Sequence, residues 1–417
     1  MKPGAMKHGA SRRLLPLAAA GDAVTAGDKA ARLSAAARAG LPVLPGWVVP
    51  CEAARPALDA GAAAVSGGVP AAARRAVLSH PLEEELSEEL AAAAKDLGGR
   101  VIVRSSSPLE RDPRWSGAFS SVAEVGPEGV TTAVRSCWAS AFAADPLERL
   151  RAGGRSPEDL ELGVLIQPEL RPDAGGTATV TPALEVTAEA VAGHPGPLLA
   201  GWADGVSGPG LVTLVGERAA RRVAGLAIRV FRLLGDDKIE WAIQNGSAWL
   251  LQSQASGARS GEDPAPSRPG PEVTGPAVTS PDGGTDGGPG GRLGQREWMP
   301  LLAATVRARG RRLPARPAAP GLAAGRLVPC RPHERPPASA ADAILLVDRP
   351  VPALAPLLFT ARGLIARTGA ASSHLADVAR SLAVPMVTGC RIPGASTGSP
   401  CLAAVDGTSG EVTLLPA

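Results

Sequence analysis

The chain has 417 residues, of which 45% are hydrophobic and 20% charged, and its formal net charge is +3 at pH 7. This composition excludes a collagen-like or wholly disordered protein, and no apolar run approaches the roughly 18 residues of a membrane helix. The 50 Gly and 41 Pro residues are nearly double the usual share of about 12%. The length therefore predicts two or three domains, with turn-forming residues concentrated in particular segments.

Charge and cysteine usage exclude further classes of protein. Only five lysines accompany 38 arginines, so a lysine inside a folded region indicates a site that requires a compact ammonium. No basic stripe is interleaved with aromatic residues, and we expect neither a nucleic-acid nor a membrane partner. The five scattered cysteines contain no CxxC pair, which is typical of reduced thiols and predicts a cytoplasmic protein.

Residues 1–255 predict a domain of mixed strands and helices. Residues 2–20 mimic a signal peptide, but their apolar core holds only about seven residues and a proline, so we expect a first strand there. A helix is predicted over 28–40 and a buried strand over 101–104. Alternating residues over 237–252 surround an Asn-Gly pair and predict a hairpin. This mixture is typical of an α/β or α+β fold.

Residues 256–314 are predicted to form a flexible linker, with room for one short helix over 298–312. Of the 39 residues from 257 to 295, 18 are Gly or Pro, and such a segment cannot form a packed core. Residues 315–417 then predict a compact layered domain. One helix of that domain is expected to begin at a histidine, His374.

His374 is the candidate catalytic residue of the C-terminal domain. Ser372 and Ser373 can cap its helix, which places the imidazole in the first turn, where unpaired N–H groups and the helix dipole attract an anion. A neutral imidazole is a nucleophile near pH 7, so these residues indicate a phosphohistidine carrier. From the residues alone, a structural histidine and a metal ligand remain open.

The N-terminal domain offers residues for a nucleotide site. Lys29 begins a helix and Arg104 ends a buried strand. Glu240 and Gln252 lie nearly level on opposite arms of the hairpin, and a carboxylate with an amide oxygen suits Mg²⁺. Taken singly, Arg104 is more simply explained as a buried arginine that pairs with an acid, and Glu240 as a glutamate on a solvated strand face.

The segment around His374 carries a family resemblance. Residues 363–389 read GLIARTGAASSHLADVARSLAVPMVTG. They resemble the swivelling phosphohistidine domain of the phosphoenolpyruvate-utilising enzymes, whose pattern is G-[IV]-V-T-E-x-G-G-x-[ST]-S-H-x-A-I-V-A-R-E-x-G-I-P-A-V-x-G. Residues 405–410 resemble its closing V-D-G-x-x-G, and His374 is by resemblance the phosphorylated carrier. Three residues depart from the pattern, namely Arg367 for Glu, Ala370 for Gly and Asp377 for an apolar residue.

The N-terminal motifs follow the same family's order. Residues 27–33 and 40–49 resemble the G-G-K-x-A-x-L…G-[LIV]-P-V-P-x-G-F-V-[IV] opening of the ATP-grasp-type domain shared by phosphoenolpyruvate synthase, pyruvate phosphate dikinase and rifampicin phosphotransferase. Three later segments continue the resemblance. Residues 103–106 with Glu110, Ser116 and Gly117 resemble V-R-S-S-A-x-x-E-D…F-A-G, and residues 166–168 resemble the adenine hinge. Residues 239–253 resemble D-I-E-W-A…L-Q-[ST]-R-P.

The resemblance implies roles for individual residues. Lys29 and Arg104 become phosphate ligands, and Glu240 with Gln252 becomes the Mg²⁺ pair. Adenine is expected against four residues, Gln167, Pro168, Glu169 and Leu170. Four positions depart from the family, with Lys238 for Asp, Gln254 for Arg, Asp28 for Gly and Ala118 for a frequent Gln. The phosphate role of the missing guanidinium is then predicted to pass to Lys238.

Together these motifs imply a member of the phosphoenolpyruvate-utilising dikinase family. An ATP-grasp-type ATP-binding domain over 1–255 precedes the linker over 256–314 and a swivelling β/β/α phosphohistidine domain over 315–417. ATP is expected to give AMP and phosphate, with the β-phosphoryl passing through His374 to an acceptor. No stretch is long enough for the family's acceptor domain, so a small acceptor or one held by a partner protein is expected. The alternatives are a non-catalytic ATP-binding or regulatory relative and an ATP-grasp ligase.

Overall fold

The computed structural model describes residues 13–65, 70–255, 295–331, 340–392 and 401–416. These residues form an N-terminal unit up to residue 255 and a C-terminal unit from residue 295. The α-helices are α1 (Ala23–Ala26), α2 (Asp28–Arg38), α3 (Cys51–Val65), α4 (Pro70–Ser79), α5 (Glu84–Asp96), α6 (Val130–Ser140), α7 (Ala144–Ala152), α8 (Gly196–Leu199), α9 (Pro209–Val215), α10 (Glu217–Leu234), α11 (Gln295–Arg309) and α12 (His374–Ser381). The strands are β1 (Leu15–Pro16), β2 (Trp47–Val49), β3 (Val101–Ser106), β4 (Ser121–Val125), β5 (Gly163–Pro168), β6 (Ala174–Val180), β7 (Val186–Ala192), β8 (Val206–Ser207), β9 (Lys238–Gln244), β10 (Ser247–Gln254), β11 (Arg311–Pro314), β12 (Arg316–Ala319), β13 (Leu322–Pro329), β14 (Ile344–Val347), β15 (Gly363–Ala366), β16 (Met386–Thr388), β17 (Cys401–Asp406) and β18 (Glu411–Pro416).

Two antiparallel sheets with helices packed against them form the described part of the N-terminal unit. The first sheet has the order β1-β2-β5-β3-β4, and the second has the order β10-β9-β6-β7-β8. Trp138 and Phe142 are fully buried in the core of the first sheet, and Trp241 is buried between the second sheet and helices α2 and α10. The second core also includes Val48 and Leu165 of the first sheet, and side chains from β3, β5, β9 and β10 line a cleft between the two sheets.

The start of α2 is fixed by its close approach to β3. Gly27 has a φ of +78°, and a Cβ atom there would lie 2.1 Å from the carbonyl oxygen of Ser106. Only glycine tolerates both that conformation and that contact. The N–H of Asp28 donates to the carbonyl of Ser107 at 3.1 Å, and that of Ala30 donates to Ser106 Oγ at 3.0 Å. Lys29 is therefore held beside the end of β3.

One mixed sheet forms the centre of the C-terminal unit. Its order within the described residues is β11-β18-β17-β13-β14-β15-β16-β12, with β13 to β16 parallel. A 3₁₀ segment, Pro352–Phe359, connects β14 to β15, and α12 connects β15 to β16. Leu375, Val378 and Ala379 of α12 are fully buried against the sheet. The polar side of α12 therefore faces the N-terminal unit.

Two predicted boundaries differ from the structure. Residues 295–314 belong to the C-terminal unit rather than to the linker, because α11 packs on β13 and β18 and β11 pairs with β18. The remaining linker residues, 256–294, lie outside the described residues. The predicted first strand is reduced to Leu15–Pro16 and continues as a 3₁₀ turn, Leu17–Ala19.

The cysteines are free, and two of them are deeply buried. All five cysteines are free thiols in the described chain. Burial raises the pKa of Cys51 and Cys137 to about 12, so both stay protonated near neutral pH and are poor nucleophiles. The helices described here include none with the length and apolar character needed to cross a membrane.

Candidate functional site

A cleft between the two N-terminal sheets is closed on one side by the C-terminal unit. Strands β3, β5, β9 and β10 form its walls, and His374 enters it from α12. Nine of the ten predicted site residues line this cleft together: Lys29, Arg104, Gln167, Pro168, Glu169, Leu170, Glu240, Gln252 and His374. The tenth, Lys238, is not among the described lining residues.

Lys29 presents a buried ammonium at the cleft wall. Its Nζ donates to the carbonyl of Ser105 at 2.6 Å and to Glu110 Oε1 at 2.9 Å. The other carboxylate oxygen of Glu110 accepts from the N–H of Ser107 at 2.9 Å, which fixes the carboxylate. Two of the three donor hydrogens of Lys29 are thus engaged with described residues, and the ammonium is positioned to contact an anion.

Arg104 lies at the point where Glu240 and Gln252 converge. The register pairs Glu240 directly with Gln252 across β9 and β10, so the predicted level placement is confirmed. Arg104 Nη2 is 3.4 Å from Gln252 Oε1 and 4.0 Å from Glu240 Oε2. Burial lowers the pKa of Arg104, with Glu240 opposing that effect. The carboxylate and amide oxygens form a donor set that fits Mg²⁺ with phosphate and water as its other ligands.

The end of β5 and its neighbours form an apolar slot. Gln167 is 2% exposed, and its Nε2 donates to the carbonyl of Leu44 at 3.1 Å. The backbone continues through Pro168, Glu169 and Leu170 along the same wall. Five further apolar residues complete the slot, namely Leu44, Ile102, Phe119, Ala242 and Leu251. A slot with apolar sides suits a flat heteroaromatic ring.

His374 is the first residue of α12, as predicted, and its side chain is 19% exposed. Its Nδ1 lies 2.9 Å from Ser116 Oγ of the N-terminal unit. Gly117 lies against the ring, and a Cβ atom at that position would approach the His374 side chain to 2.8 Å. The histidine is thus held against the cleft by a loop of the other unit.

The predicted side-chain capping of α12 is wrong. Ser373 occupies the N-cap position, but its hydroxyl makes no cap hydrogen bond with any described residue. Ser372 instead donates its hydroxyl to Glu189 Oε2 of the N-terminal unit at 2.6 Å. Ser372 precedes the N-cap position, and its hydroxyl contributes to the contact between the units instead.

Lys238 does not take the phosphate role that its position suggested. Its Nζ donates to both carboxylate oxygens of Asp377, at 2.5 and 2.7 Å, and to the carbonyl of Ser372 at 3.3 Å. These contacts use all three donor hydrogens, and both charged side chains are 3% exposed. The prediction is therefore wrong for this arrangement of the units, because the ammonium is neutralised by α12.

Three residues at or beside the cleft were given no role by the sequence analysis. Ser116 was quoted in a motif without a role, and Asp377 was noted only as a departure for an apolar residue. His194 also lines the cleft; its Nδ1 accepts from the N–H of Gly196 at 3.0 Å, and burial lowers its pKa below 6.5. Lys238 and Asp377 both depart from the family pattern and carry opposite charges. That pair of opposite charges was the sequence signal that could have identified Asp377.

Phosphorylation of His374 is expected to depend on pH in a defined direction. Burial lowers its pKa below 6.5, assisted by Lys238 and Lys29 and opposed by Glu240 and Asp377. The neutral, nucleophilic form is therefore dominant at pH 7. We expect the rate of label transfer from ATP to be flat above pH 6.5 and to fall as pH drops through the lowered pKa. A midpoint above 6.5 in a rapid-quench pH series would contradict this assignment.

Replacing Gly117 by Ala is expected to displace His374. The φ of Gly117 is +67°, and the added methyl group would overlap the imidazole. We expect slower label transfer to His374 with ATP affinity retained. Gly154→Ala is the matched control, because Gly154 also has a positive φ, of +66°, but a Cβ atom there meets nothing within 4 Å. Equal transfer rates for the two variants would contradict the contact.

The fold and the cleft define an α/β nucleotide-binding protein with a histidine presented by a second unit. Two family models match the chain: pyruvate phosphate dikinase, AMP/ATP-binding domain, over residues 24–194, and PEP-utilising enzyme, mobile domain, over residues 340–410. Together they cover more than half of the 417 residues. The chain belongs to the phosphoenolpyruvate-utilising dikinase family, whose members are phosphotransferases.

Individual proteins show only distant similarity. No curated protein sequence matches the chain. The structure of biotin carboxylase with β,γ-ATP from Campylobacter jejuni is 13% identical over 57% of this chain and 42% of its own, with a TM-score of 0.29. Cdc123 from Schizosaccharomyces pombe is 10% identical over 56% of this chain and 84% of its own, with a TM-score of 0.33. Holo aconitase X from Thermococcus kodakaraensis is 20% identical over 25% of this chain and 99% of its own, with a TM-score of 0.21. Scores this low support no conclusion about this protein.

Proposed function

We propose that the protein is an ATP-dependent phosphotransferase of the dikinase type, with His374 as the phosphorylated residue. The observation that carries the proposal is the position of His374 in the same cleft as Lys29, Arg104, Glu240 and Gln252. A nucleophilic imidazole therefore faces the residues best suited to bind a triphosphate. Membership of a family that contains both an ATP-binding and a mobile domain supports the same function.

The reaction begins with ATP bound along β3 and β5. Adenine lies in the slot beside Gln167, Pro168, Glu169 and Leu170, and the phosphates extend toward Lys29 and Arg104. His374 attacks the β-phosphorus; an N–P bond forms, the bond from the β-phosphorus to the α-phosphate oxygen breaks, and AMP leaves. The γ-phosphoryl group then passes to water or to phosphate, and phospho-His374 keeps the β-phosphoryl group.

Charge on the transferring phosphoryl group is stabilised by groups already in place. Lys29 is fixed by Glu110 Oε1 and by the carbonyl of Ser105, so its ammonium does not reorganise far during the reaction. Glu240 and Gln252 would hold Mg²⁺, which supplies further positive charge to the phosphate oxygens. Binding ATP requires Arg104 to leave the point between these two oxygens and turn to the phosphates.

The acceptor of the β-phosphoryl group is a small molecule or one held by a separate protein. His374 is enclosed by Ser116 and Gly117 of the N-terminal unit, so it must leave the cleft to meet an acceptor. The 39 residues from 256 to 294 connect the units, and their composition predicts a flexible linker. A linker of that length would span about 35 Å. Release of the C-terminal unit therefore gives phospho-His374 access to a second site, in a protein we expect to act in the cytoplasm.

The test is the fate of each ATP phosphate. The full-length protein is incubated with Mg²⁺ and ATP labelled at either the β- or the γ-position, and nucleotide products are separated. We expect acid-labile, base-stable protein label from the β-position only, with one AMP formed for each label. ADP without protein label would indicate a ligase, and bound ATP without any product would indicate a non-catalytic relative; either result would overturn the proposal.

A further inference from the structure

We infer that Ser116 is a positioning residue for His374: together with Asp377 it fixes the proton on Nδ1 and leaves Nε2 as the nucleophile when the two units are docked. The inference rests on the proposed phosphotransferase function but concerns residues to which that function assigns no part. Its basis is a chain of contacts from Lys238 through Asp377 and Ser116 to the imidazole.

The direction of each hydrogen bond follows from the charge of Asp377. Although burial alone would raise its pKa, Lys238 and Arg380 hold the pKa of Asp377 well below 3.8. An ionised carboxylate only accepts hydrogen bonds. Ser116 Oγ lies 3.2 Å from Asp377 Oδ2, so the hydroxyl hydrogen is directed to the carboxylate. The Ser116 oxygen is then free to accept.

The acceptor on Ser116 faces the histidine. Its Oγ is 2.9 Å from His374 Nδ1, whereas Asp377 Oδ2 is 4.0 Å from the same nitrogen and beyond hydrogen-bond distance. A hydroxyl that already donates to Asp377 favours an imidazole that carries its proton on Nδ1. In a neutral ring the lone pair is then on Nε2. Ser116 therefore selects which nitrogen attacks the phosphorus.

Ser116 is itself held in place by the surrounding fold. Arg149 is 2% exposed and donates to the carbonyl of Ser116 at 3.0 Å and to that of Arg114 at 2.7 Å. The same guanidinium is paired with Asp145 at 2.7 Å. Its remaining contact, to the carbonyl of Pro352 at 3.4 Å, reaches the C-terminal unit. The loop that carries Ser116 is thus supported from both units.

The cluster also accounts for the departures from the family pattern. Lys238 replaces Asp and Asp377 replaces an apolar residue, and these two side chains contact each other. Ser116 stands at the Ala of F-A-G. An aspartate at 238 would place a second carboxylate beside Asp377, and an apolar residue at 377 would leave Lys238 buried without a counter-ion. The substitutions are mutually compensating and together place a hydroxyl on His374.

The test compares Ser116→Ala and Ser116→Thr with the wild-type protein in single-turnover label transfer from β-labelled ATP. A hydrogen bond to a charged network contributes about 1.5–3 kcal/mol, so we expect the Ala variant to be slower by about 10- to 100-fold. ATP affinity is measured separately and should not change. The Thr variant, which keeps the hydroxyl, should recover most of the rate. Ser136→Ala is the control, because among the described residues that hydroxyl bonds only the Thr132 carbonyl within α6.

A second measurement separates this inference from the proposed function. Nitrogen-15 NMR of histidine-labelled protein reports which ring nitrogen of His374 carries the proton, with or without turnover. We expect the Nδ1–H form in the wild-type protein and a mixture of forms in Ser116→Ala. A wild-type Nε2–H form, or Ala and Thr variants that are equally slow, would overturn the inference. Absence of any label in the wild-type protein would overturn the proposed function, and the NMR result would still decide the role of Ser116.

Discussion

A His374→Asn variant is expected to bind ATP with nearly wild-type affinity and to form neither protein-bound label nor AMP. The expected loss is complete because His374 is the attacking group of the proposed reaction, and an amide cannot form a stable phosphoryl bond. ATP binding should persist, since the phosphate and adenine contacts are assigned to Lys29, Arg104 and the wall from Gln167 to Leu170. Asparagine also keeps a polar group of moderate size beside Ser116.

The measurement combines equilibrium ATP binding with quantification of β-label and AMP. His80→Asn is the control, because His80 follows the end of α4 and does not line the cleft. The control should be labelled as fast as the wild-type protein. If His374→Asn still released AMP from ATP, the attacking group would be water or another side chain. That result would remove the phosphohistidine carrier from the proposed function.

Replacing Asp377 by Ala is expected to release the C-terminal unit from the cleft. The change leaves Lys238 buried without a counter-ion in the docked arrangement, at a cost of about 3–5 kcal/mol. Such a cost shifts the docking equilibrium by about two to three and a half powers of ten. The ammonium regains water once the units separate, so we expect the cost to appear as opening of the molecule rather than as unfolding.

Small-angle X-ray scattering measures this opening as a larger radius of gyration, and circular dichroism confirms that secondary structure is kept. The Lys238→Ala, Asp377→Ala double variant should open less than Asp377→Ala alone, because it removes the buried Lys238 ammonium together with its counter-ion. Glu217→Ala is the control, since it breaks an ion pair with Arg221 in which both side chains are 73% exposed. An Asp377→Ala variant as compact as the wild-type protein would show that the buried pair does not hold the units together.

The residues that sequence analysis placed correctly are those fixed by local periodicity. The Asn-Gly turn sets the register of β9 and β10, so Glu240 and Gln252 were expected to lie nearly level. The turn alone would place Glu240 opposite Leu251, and a register shift between Leu250 and Gln252 completes the pairing. The start of α12 at His374 was likewise visible from helical spacing and small residues before it. In each case the structural constraint acts over a few residues, and the sequence displays it directly.

The residues that escaped prediction are joined by contacts distant in sequence. Lys238 and Asp377 are 139 residues apart, and Ser116 and His374 are 258 apart. No periodicity or turn signal reports such a pairing, because it depends on how the two units meet. The same reason explains the misplaced linker boundary. β11 is a strand only because β18, about a hundred residues later, supplies its hydrogen-bond partners.

The buried pair between β9 and α12 also limits how this protein can recombine with its relatives. A C-terminal unit carrying an apolar residue at position 377 would meet Lys238 with no acceptor for its charge, and an N-terminal unit with aspartate at position 238 would repel Asp377. Each exchange alone would create a chimaera with an unfavourable contact between the two units, although each unit could fold. The two units must therefore be inherited together, and a successful graft has to transfer the residues at positions 116, 238 and 377 as a set.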